Sequence, residues 1–397
     1  MSCPPPGMEH LTGIRSRRRP IDHALVAKGA GWKMLRKLAN GRDGVSVLLC
    51  SDATAGTTNS DVGGSGDGSG GDSKSSDDEY CHVAIKIVPT HELDDTARRR
   101  LQDEIDILSY LAGGCSLVAP RGSDGGIDGF ESLQRRHPHL LRLVHHQRLA
   151  GFEMLSCAPL RGGALHRHLR AMPNAYFPRY VALYYAAELA SALEHLHEHG
   201  IAHRDLKASN VVLDGDQHAT LVDFGFAKRG LERSQGSAAG GEASAVMRAT
   251  SFCGTPHAMA PEMMSRNGHG LEVDWWALGV LLWEMLDGSP PFGYGEGGID
   301  VLSERVVRGI DESAMPLSRD PADAATRQML SGLLAVDPAI RLGGRRGEIF
   351  ANPAWSELFQ GKRCSSGGGS DSSEFLRLLP APPRDLLALS GEEEGAY

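Results

Sequence analysis

Apolar residues alternate in some stretches of the chain and recur every three to four residues in others. Residues 82–88, His-Val-Ala-Ile-Lys-Ile-Val, alternate and are rich in β-branched side chains, which predicts a strand. Leu101, Ile105 and Leu108 follow helical spacing, and residues 177–199 carry a longer pattern of the same kind. The pattern therefore predicts a first region of strands that includes one helix, followed by a region of long buried helices.

Four stretches lack such a pattern. Residues 1–30 contain prolines and three consecutive arginines, so we expect a flexible N-terminal extension. Residues 51–79 are mainly Ser, Gly, Asp and Thr, which bury too little to offset the entropy of ordering, and residues 113–130 are similarly Gly-rich. We therefore expect disordered insertions at both places, and a short C-terminal tail over 361–397.

Composition restricts the partners. The formal charge is −9, but residues 51–79 account for −6 of it, and no basic face predicts a nucleic-acid partner. Seven scattered cysteines without a C-x-x-C pair indicate reduced thiols in a cytoplasmic or nuclear protein. His195, His197 and His199 alternate along one helix, which argues against a zinc site. We find neither a signal-peptide core nor the ~20 apolar residues that a membrane span needs.

The candidate chemistry lies within 201–225. His203-Arg204-Asp205-Leu206-Lys207 is followed by Asn210 and then by Asp223-Phe224-Gly225. Ordinary surface turns also collect Asp, Asn and Gly, and Asp-Phe-Gly alone is weak evidence. The order and spacing of the whole set nevertheless favour a catalytic site over a plain pair of turns.

This set resembles the catalytic loop and metal-binding motif of eukaryotic protein kinases, and the resemblance extends from about Trp32 to about Phe359. It implies a two-lobed α+β fold, with a small antiparallel-sheet lobe at 31–157, a mainly helical lobe at 158–360 and ATP between them. It also implies residue roles: Asp205 accepts the substrate hydroxyl proton, Lys207 faces the γ-phosphate, and Asn210 and Asp223 bind Mg²⁺.

The resemblance also assigns the nucleotide site. Lys86 matches the lysine that binds the α- and β-phosphates, and Glu104 matches the helix glutamate that pairs with it, although Asp103 and Asp106 are acidic neighbours. Cys157 guards the adenine back pocket. The other implied ATP contacts are Leu38, Gly41, Gly44, Ser46, Ala84, Ala158 and Leu160.

The glycine-rich loop departs from the family pattern. Ala39 replaces its first glycine, Asp43 replaces an aromatic residue, and Ser46 stands at the expected valine. Taken alone, Gly41 and Gly44 would mark a plain hairpin turn.

Residues 223–262 resemble an activation segment of the AGC group of serine/threonine kinases, close to cyclic-nucleotide-dependent kinases. The motifs are Ser-Phe-Cys-Gly-Thr-Pro at 251–256, Ala-Pro-Glu at 260–262 and the tryptophan pair after Asp274. Ser251 holds the activation phosphorylation position and Thr250 is the neighbouring candidate, which implies an upstream activating kinase. Candidate cations for the phosphate are Arg204, Lys228 and Arg100.

Further expectations concern the structure, the substrate and the C-terminal tail. Glu262 and Arg341 resemble the buried ion pair of the family, and Asp274 should brace the catalytic-loop backbone. Glu284 matches an acid that binds substrate arginine, whereas Ser209 and Ala164 stand where other such acids would be, so we expect a weakened preference for arginine. The two-phenylalanine motif of the AGC tail is missing, and Phe375 is isolated.

The resemblance therefore predicts transfer of the ATP γ-phosphate to Ser/Thr hydroxyls of protein substrates. Lys207 and Thr255 match the serine/threonine pattern rather than the tyrosine pattern. Two alternatives stay open. The first is a pseudokinase-like scaffold, which the altered glycine loop favours. The second is a small-molecule kinase of similar fold, although such an enzyme would not need the activation segment. Nothing in the sequence indicates an oligomeric state.

Overall fold

The alternating stretches form a five-stranded antiparallel sheet with strand order β1-β2-β3-β5-β4. The computed structural model describes residues 22–40, 45–52, 82–113, 136–149, 151–233, 248–266, 268–315, 323–359 and 372–382. The elements of this lobe are α1 (His23–Gly29), β1 (Trp32–Asn40), β2 (Ser46–Asp52), β3 (His82–Pro89), α2 (Asp95–Leu111), β4 (Leu143–Leu149) and β5 (Phe152–Cys157). The predicted insertions at 51–79 and 113–130 lie almost entirely outside the described residues.

Helix α1 covers the outer face of this sheet. Its N-cap is Asp22, whose carboxylate accepts two backbone N–H groups of the first turn. Ala27 is fully buried against the side chains of Leu48 and Ile85 and their neighbours on that face. The flexible extension predicted for residues 1–30 is therefore wrong from residue 22 onward, because this short helix has a sheet face to pack against.

The second lobe is mainly helical. Its described helices are α3 (Leu165–Ala171), α4 (Arg179–Glu198), α5 (Pro261–Met264), α6 (Val273–Asp287), α7 (Ile299–Arg308), α8 (Ala324–Leu333) and α9 (Ser372–Leu378). Helices α4 and α6 form its core and are buried over nearly their whole lengths. Two small sheets lie towards the first lobe, β6-β8-β9 and β7-β10, formed by β6 (Gly163–Ala164), β7 (Ile201–Ala202), β8 (Val211–Leu213), β9 (Ala219–Leu221) and β10 (Lys228–Arg229). This arrangement is the predicted two-lobed α+β fold.

The C-terminal helix α9 is anchored by an aromatic cluster. Phe375 is 3% exposed, and its ring lies 4.7 Å from that of Phe350, 5.7 Å from that of Trp355 and 5.4 Å from that of Phe359 between centroids. Phe375 stands alone in its stretch of sequence, and its aromatic partners, which are distant in sequence, meet it only in the folded lobe. Across the described ranges, no helix combines the length and apolar character needed to cross a membrane.

A row of histidine rings joins the two lobes beside α4. The rings of His137 and His195 lie 5.1 Å apart, those of His137 and His139 5.6 Å, and those of His139 and His218 5.9 Å. Burial and the neighbouring histidines hold the pKa of His137 well below its usual range, and burial lowers the pKa of His139 despite the Glu188 carboxylate. Both histidines are therefore neutral at physiological pH.

We expect this cluster to make stability fall on acidification. A lowered pKa in the folded state contributes stability that is present above the unfolded value, about 6.5, and is lost as the pH falls below it. His218 acts in the opposite sense, because its hydrogen bond to Glu188 raises its pKa. Urea unfolding at pH 7.5 and 5.5 measures how much free energy of unfolding is lost on acidification, and this loss should be smaller for His137→Gln than for the wild type. The control His82→Gln, which lies outside the cluster, should lose as much free energy of unfolding as the wild type. A loss for His137→Gln as large as that of the wild type would contradict the explanation.

Candidate active site

A cavity of about 470 Å³ lies between the lobes. Its walls come from the sheet and α2 on one side and from β8 and the segment after β9 on the other. The apolar residues include Val45, Val47, Ala84, Val212 and Val222, and the polar ones include Lys86, Glu104, Asn210 and Asp223. An apolar slot with a few convergent charged groups is the usual form of a nucleotide or small-molecule site.

Lys86 and Glu104 form the ion pair that the sequence predicts. The Lys86 Nζ donates to both carboxylate oxygens of Glu104, at 2.6 and 2.8 Å, and lies 3.9 Å from Asp223 Oδ1. Burial alone would lower the pKa of Lys86, but the two carboxylates raise it, so the ammonium stays charged. The alternatives Asp103 and Asp106 lie on the exposed side of α2, where Asp103 faces Lys228 and Asp106 accepts from Gln102.

The roof of the cavity differs from the prediction by one residue. Ser46 pairs with Ile87 and is buried on the outer face of the sheet, whereas Val47 pairs with Lys86 and faces the cavity. In β1, the register shifts between Lys37 and Ala39, so that Ala39 rather than Leu38 lines the cavity. Leu38 and Ser46 are therefore not among the residues that line the cavity, because a one-residue shift turns a strand side chain to the other face.

Some of the remaining predicted nucleotide contacts line the cavity and others do not. Ala84 lines the cavity, as does Cys157 at the end of β5. Ala158 and Leu160 follow in the connection between the lobes, beyond the residues that line the cavity, and the Ala158 N–H donates to the Arg142 carbonyl at 3.0 Å. Gly41 and Gly44 lie outside the described residues. Sequence reasoning missed Val45, Val47, Val212 and Val222. Val47 and Val212 lie in strands β2 and β8, where alternation was the available signal, whereas Val45 and Val222 lie just outside strands.

Asp205 is held by three side chains. Its Oδ1 accepts from Thr255 Oγ1 at 2.6 Å, and its Oδ2 accepts from Lys207 Nζ at 2.8 Å and from Asn210 Nδ2 at 2.9 Å. Lys207 Nζ also donates to Thr255 Oγ1 at 2.5 Å. Asp205 is 3% exposed, and three donors distributed over its two oxygens hold its carboxylate in one orientation.

Asp274 braces the backbone that carries Asp205, as predicted. It is fully buried, and its carboxylate accepts from the backbone N–H groups of His203 and Arg204, each at 2.8 Å, and from His197 Nε2 at 2.8 Å. Burial opposes its charge, but these donors, His197 first, lower its pKa. Arg204 has a φ of 65°, a costly value for a non-glycine residue, and the two bonds to Asp274 help to hold it there.

The residues predicted to bind Mg²⁺ suit that ion. The Asp223 carboxylate is half exposed in the cleft; burial opposes its charge, but Lys86 and the Gly225 N–H lower its pKa. Asn210 uses its amide nitrogen on Asp205, which leaves its amide oxygen available to a ligand. In the parts of the chain that the structure describes, no three His, Cys, Asp or Glu side chains form a metal site. Two protein oxygens are nevertheless what Mg²⁺ needs when phosphates and water complete its shell.

The activation segment approaches the catalytic loop at Ser251. The exposed Ser251 hydroxyl accepts from Arg204 Nη1 at 2.9 Å, and Arg204 Nε donates to the Phe226 carbonyl at 2.8 Å. Lys228 instead faces Asp103 at 3.8 Å, and the Arg100 guanidinium lies 5.1 Å from the centre of the Phe226 ring. Of the three predicted phosphate-binding cations, the structure brings Arg204 to the serine, and the exposed Thr250 is its neighbour.

Two acids of the helical lobe complete the predicted set. Glu262 forms a bidentate pair with the buried Arg341, with N–O distances of 2.6 and 2.9 Å. Glu284 is buried at 8% exposure, and its Oε1 accepts from the Tyr294 hydroxyl at 3.0 Å. The sequence did not predict a role for Tyr294.

Comparison with known proteins agrees with this geometry. The model of the protein kinase domain matches residues 127–353, more than half of the chain. The chain is 37% identical over 219 residues to "Protein kinase 3" of Dictyostelium discoideum, covering 55% of this chain and 23% of the relative. It is 36% identical over 233 residues to "Serine/threonine-protein kinase gad8" of Schizosaccharomyces pombe, covering 58% and 37%. It is also 36% identical over 213 residues to the human "cAMP-dependent protein kinase catalytic subunit PRKX", covering 53% and 52%. The matches thus span about half or less of these relatives' lengths.

Proposed function

Since this chain belongs to the protein kinase family, we propose that it transfers the γ-phosphate of ATP to serine or threonine hydroxyls of protein substrates. The observation that carries the proposal is the Asp205 carboxylate held by Lys207, Asn210 and Thr255 beside the interlobe cavity. A carboxylate in one fixed orientation is suited to accept a hydroxyl proton, and a neighbouring lysine is suited to stabilise phosphate charge. Within the family we assign the chain to the AGC group, on its Gly-Thr-Pro and Asp-Trp-Trp motifs and its similarity to the named serine/threonine kinases.

We assign different roles in nucleotide binding to the residues around the cavity. Lys86, oriented by Glu104, binds the nucleotide phosphates, while Ala84 and Val47 contact the adenine. Mg²⁺, held by Asp223 and Asn210, would neutralise phosphate charge. The complete Lys86–Glu104 pair and catalytic loop argue for turnover rather than for a scaffold, and the apolar Val47 in the roof removes one reason for doubting nucleotide binding.

The proposal is tested by measuring transfer of labelled phosphate from Mg²⁺-ATP to three matched peptides that differ only in carrying serine, threonine or tyrosine. We expect transfer to the first two peptides, at a rate at least about a hundredfold higher than that of the Asp205→Asn variant. Transfer equal to that of the variant on every peptide would favour a scaffold, and preference for tyrosine would contradict the assignment to serine/threonine kinases.

We further propose that phosphorylation of Ser251 by an upstream kinase activates the protein. A phosphate adds about −1.5 to −2 charges, and Arg204 already reaches the Ser251 hydroxyl. After treatment with an activating kinase, the wild type should gain at least about tenfold in kcat, from one or two charge-assisted hydrogen bonds that dock the segment. The Ser251→Ala/Thr250→Ala variant should gain nothing. Ser265→Ala, after the Ala-Pro-Glu helix, is the control, and full activation of the double variant would contradict the switch.

A further inference from the structure

One side of α2 faces the first residues of the activation segment. Three side chains on that side lie within about 80° of each other around the helix, at 100° per residue. Each of them meets a side chain that closely follows Asp-Phe-Gly. The three pairs are Arg100 with Phe226, Asp103 with Lys228 and Tyr110 with Arg229. These pairs hold α2 from a second direction, in addition to the burial of its apolar side.

The pair of Tyr110 and Arg229 is the closest of the three. The carbon at the centre of the guanidinium lies 3.6 Å from the centre of the tyrosine ring, whereas the corresponding distance for Arg100 is 5.1 Å. Asp103 and Lys228 are 3.8 Å apart and both nearly half exposed, so water screens their attraction. A cation in contact with an aromatic face keeps its attraction even at an exposed site. The contact of Tyr110 with Arg229 is therefore the strongest of the three.

Tyr110 lies beside the elements that carry the catalytic loop. Its ring meets that of His199, at the end of α4, edge-on with centroids 5.7 Å apart. Arg229 pairs in β10 with Ile201 of β7, and β7 leads directly into the catalytic loop. Along α2, Tyr110 follows Glu104 by six residues, or about 9 Å of helix. A movement of this end of α2 away from β10 would therefore displace Glu104 as well.

We propose that Tyr110 and Arg229 are positioning residues, which hold α2 on β10 and thereby keep Glu104 against Lys86. The Lys86 Nζ lies 2.6 and 2.8 Å from the two Glu104 oxygens, so a small displacement of the helix would separate them. The inference rests on the proposed function, in which Lys86 binds the nucleotide phosphates. The attraction comes from the face of the ring, so phenylalanine should replace Tyr110 and an aliphatic side chain should not.

The test is a double-variant cycle on the full chain. The variants are Tyr110→Leu, Arg229→Gln, their combination, and Tyr110→Phe as the conservative replacement. Amide hydrogen exchange of α2 is followed by mass spectrometry in the absence of nucleotide, and kcat/KM for ATP is measured on the serine peptide. Tyr180→Leu makes the same change at another partly exposed tyrosine, on α4, and is the matched control. Arg229 is exposed, so Arg229→Gln provides the answer if Tyr110→Leu does not fold.

We expect Tyr110→Leu and Arg229→Gln each to speed exchange in the second half of α2 by about three- to tenfold, and to lower kcat/KM for ATP by a similar factor. Exchange in α6 should not change. The combined variant should be no worse than either single variant, because both remove the same contact. Tyr110→Phe and Tyr180→Leu should match the wild type. The inference is overturned by unchanged exchange in Arg229→Gln, by a Tyr110→Phe variant as impaired as Tyr110→Leu, or by effects that add in the combined variant.

Amide exchange needs neither nucleotide nor phosphate transfer, so the two proposals fail separately. If no peptide receives phosphate in an Asp205-dependent manner but exchange in α2 still rises with Arg229→Gln, the proposed activity is wrong and the role of the pair in holding α2 stands. If the variants that lose the contact transfer phosphate with the kcat/KM of the wild type, the positioning role is wrong and the activity stands.

Discussion

Asp205→Asn should lower kcat for phosphate transfer by about 10²- to 10⁴-fold, the usual contribution of a positioned general base. The amide has nearly the same shape as the carboxylate but cannot accept the substrate proton. It also places an N–H₂ group either where Lys207 and Asn210 donate or where Thr255 donates, so the donors at that position lose their acceptor. Steady-state kinetics on the serine peptide, with labelled ATP, measures the loss.

The control for this variant is Asp106→Asn, which makes the same chemical change on the exposed side of α2. Its kcat should stay within about twofold of the wild-type value, since a substitution at an exposed position rarely changes the free energy of unfolding by more than about 0.5 kcal/mol. Both variants should show the far-UV circular dichroism of the wild type. If folded Asp205→Asn protein turned over at a rate close to that of the control, Asp205 would not be the base.

Arg341→Ala should destabilise the helical lobe by about 3–5 kcal/mol, because it leaves the Glu262 carboxylate, which is 11% exposed, and three backbone carbonyls without their donor. All five N–H donors of the guanidinium are used. Two bind the Glu262 carboxylate, at 2.6 and 2.9 Å, and three bind the carbonyls of Ala335, Glu272 and Val336 at 3.0 to 3.2 Å. Lysine would leave several of these acceptors without a donor, so Arg341→Lys should rescue stability in part.

Urea unfolding measures this effect as a shift of the midpoint at constant slope. Arg346→Ala is the matched control: its pair with Glu198 is on the surface, with 70% of the arginine side chain exposed, and such pairs contribute about 0–1 kcal/mol. An Arg341→Ala protein that unfolds at the same urea concentration as Arg346→Ala would show that the pair contributes little. We expect its soluble yield to fall before its specific activity does.

Much of the catalytic loop could be predicted from the sequence. Asp205, Lys207, Asn210 and Asp223 lie within 19 consecutive positions, so their order and spacing carry the geometry almost directly. The pair of Lys86 and Glu104 was also predicted, although both residues precede the segment matched by the kinase family model. Each lies in a regular element, β3 or α2, whose periodicity determines which side chains share a face.

The nucleotide roof could not be predicted in the same way. An ungapped comparison of residues 38–46 with the family loop assigns Ser46 to the cavity, but the register shift in β1 and the pairing of β2 with β3 put Val47 there. Such shifts cannot be recognised from the order of the residues, since either Ser46 or Val47 could face the cavity from a strand. The pairing partner decides the face, and that partner is on another strand.

By itself, the sequence determined the fold class, and it indicated the candidate catalytic set and the candidate phosphorylation site, because each depends on local spacing or on a motif of consecutive residues. The tertiary structure alone decided that α1 covers the sheet, that Phe375 is buried, that His137, His195 and His218 lie in one row, and that Tyr294 binds Glu284. These contacts join residues that are far apart along the chain or lie in irregular loops. Their energies come from burial and hydrogen bonds that form only when the elements pack, and no periodicity records them.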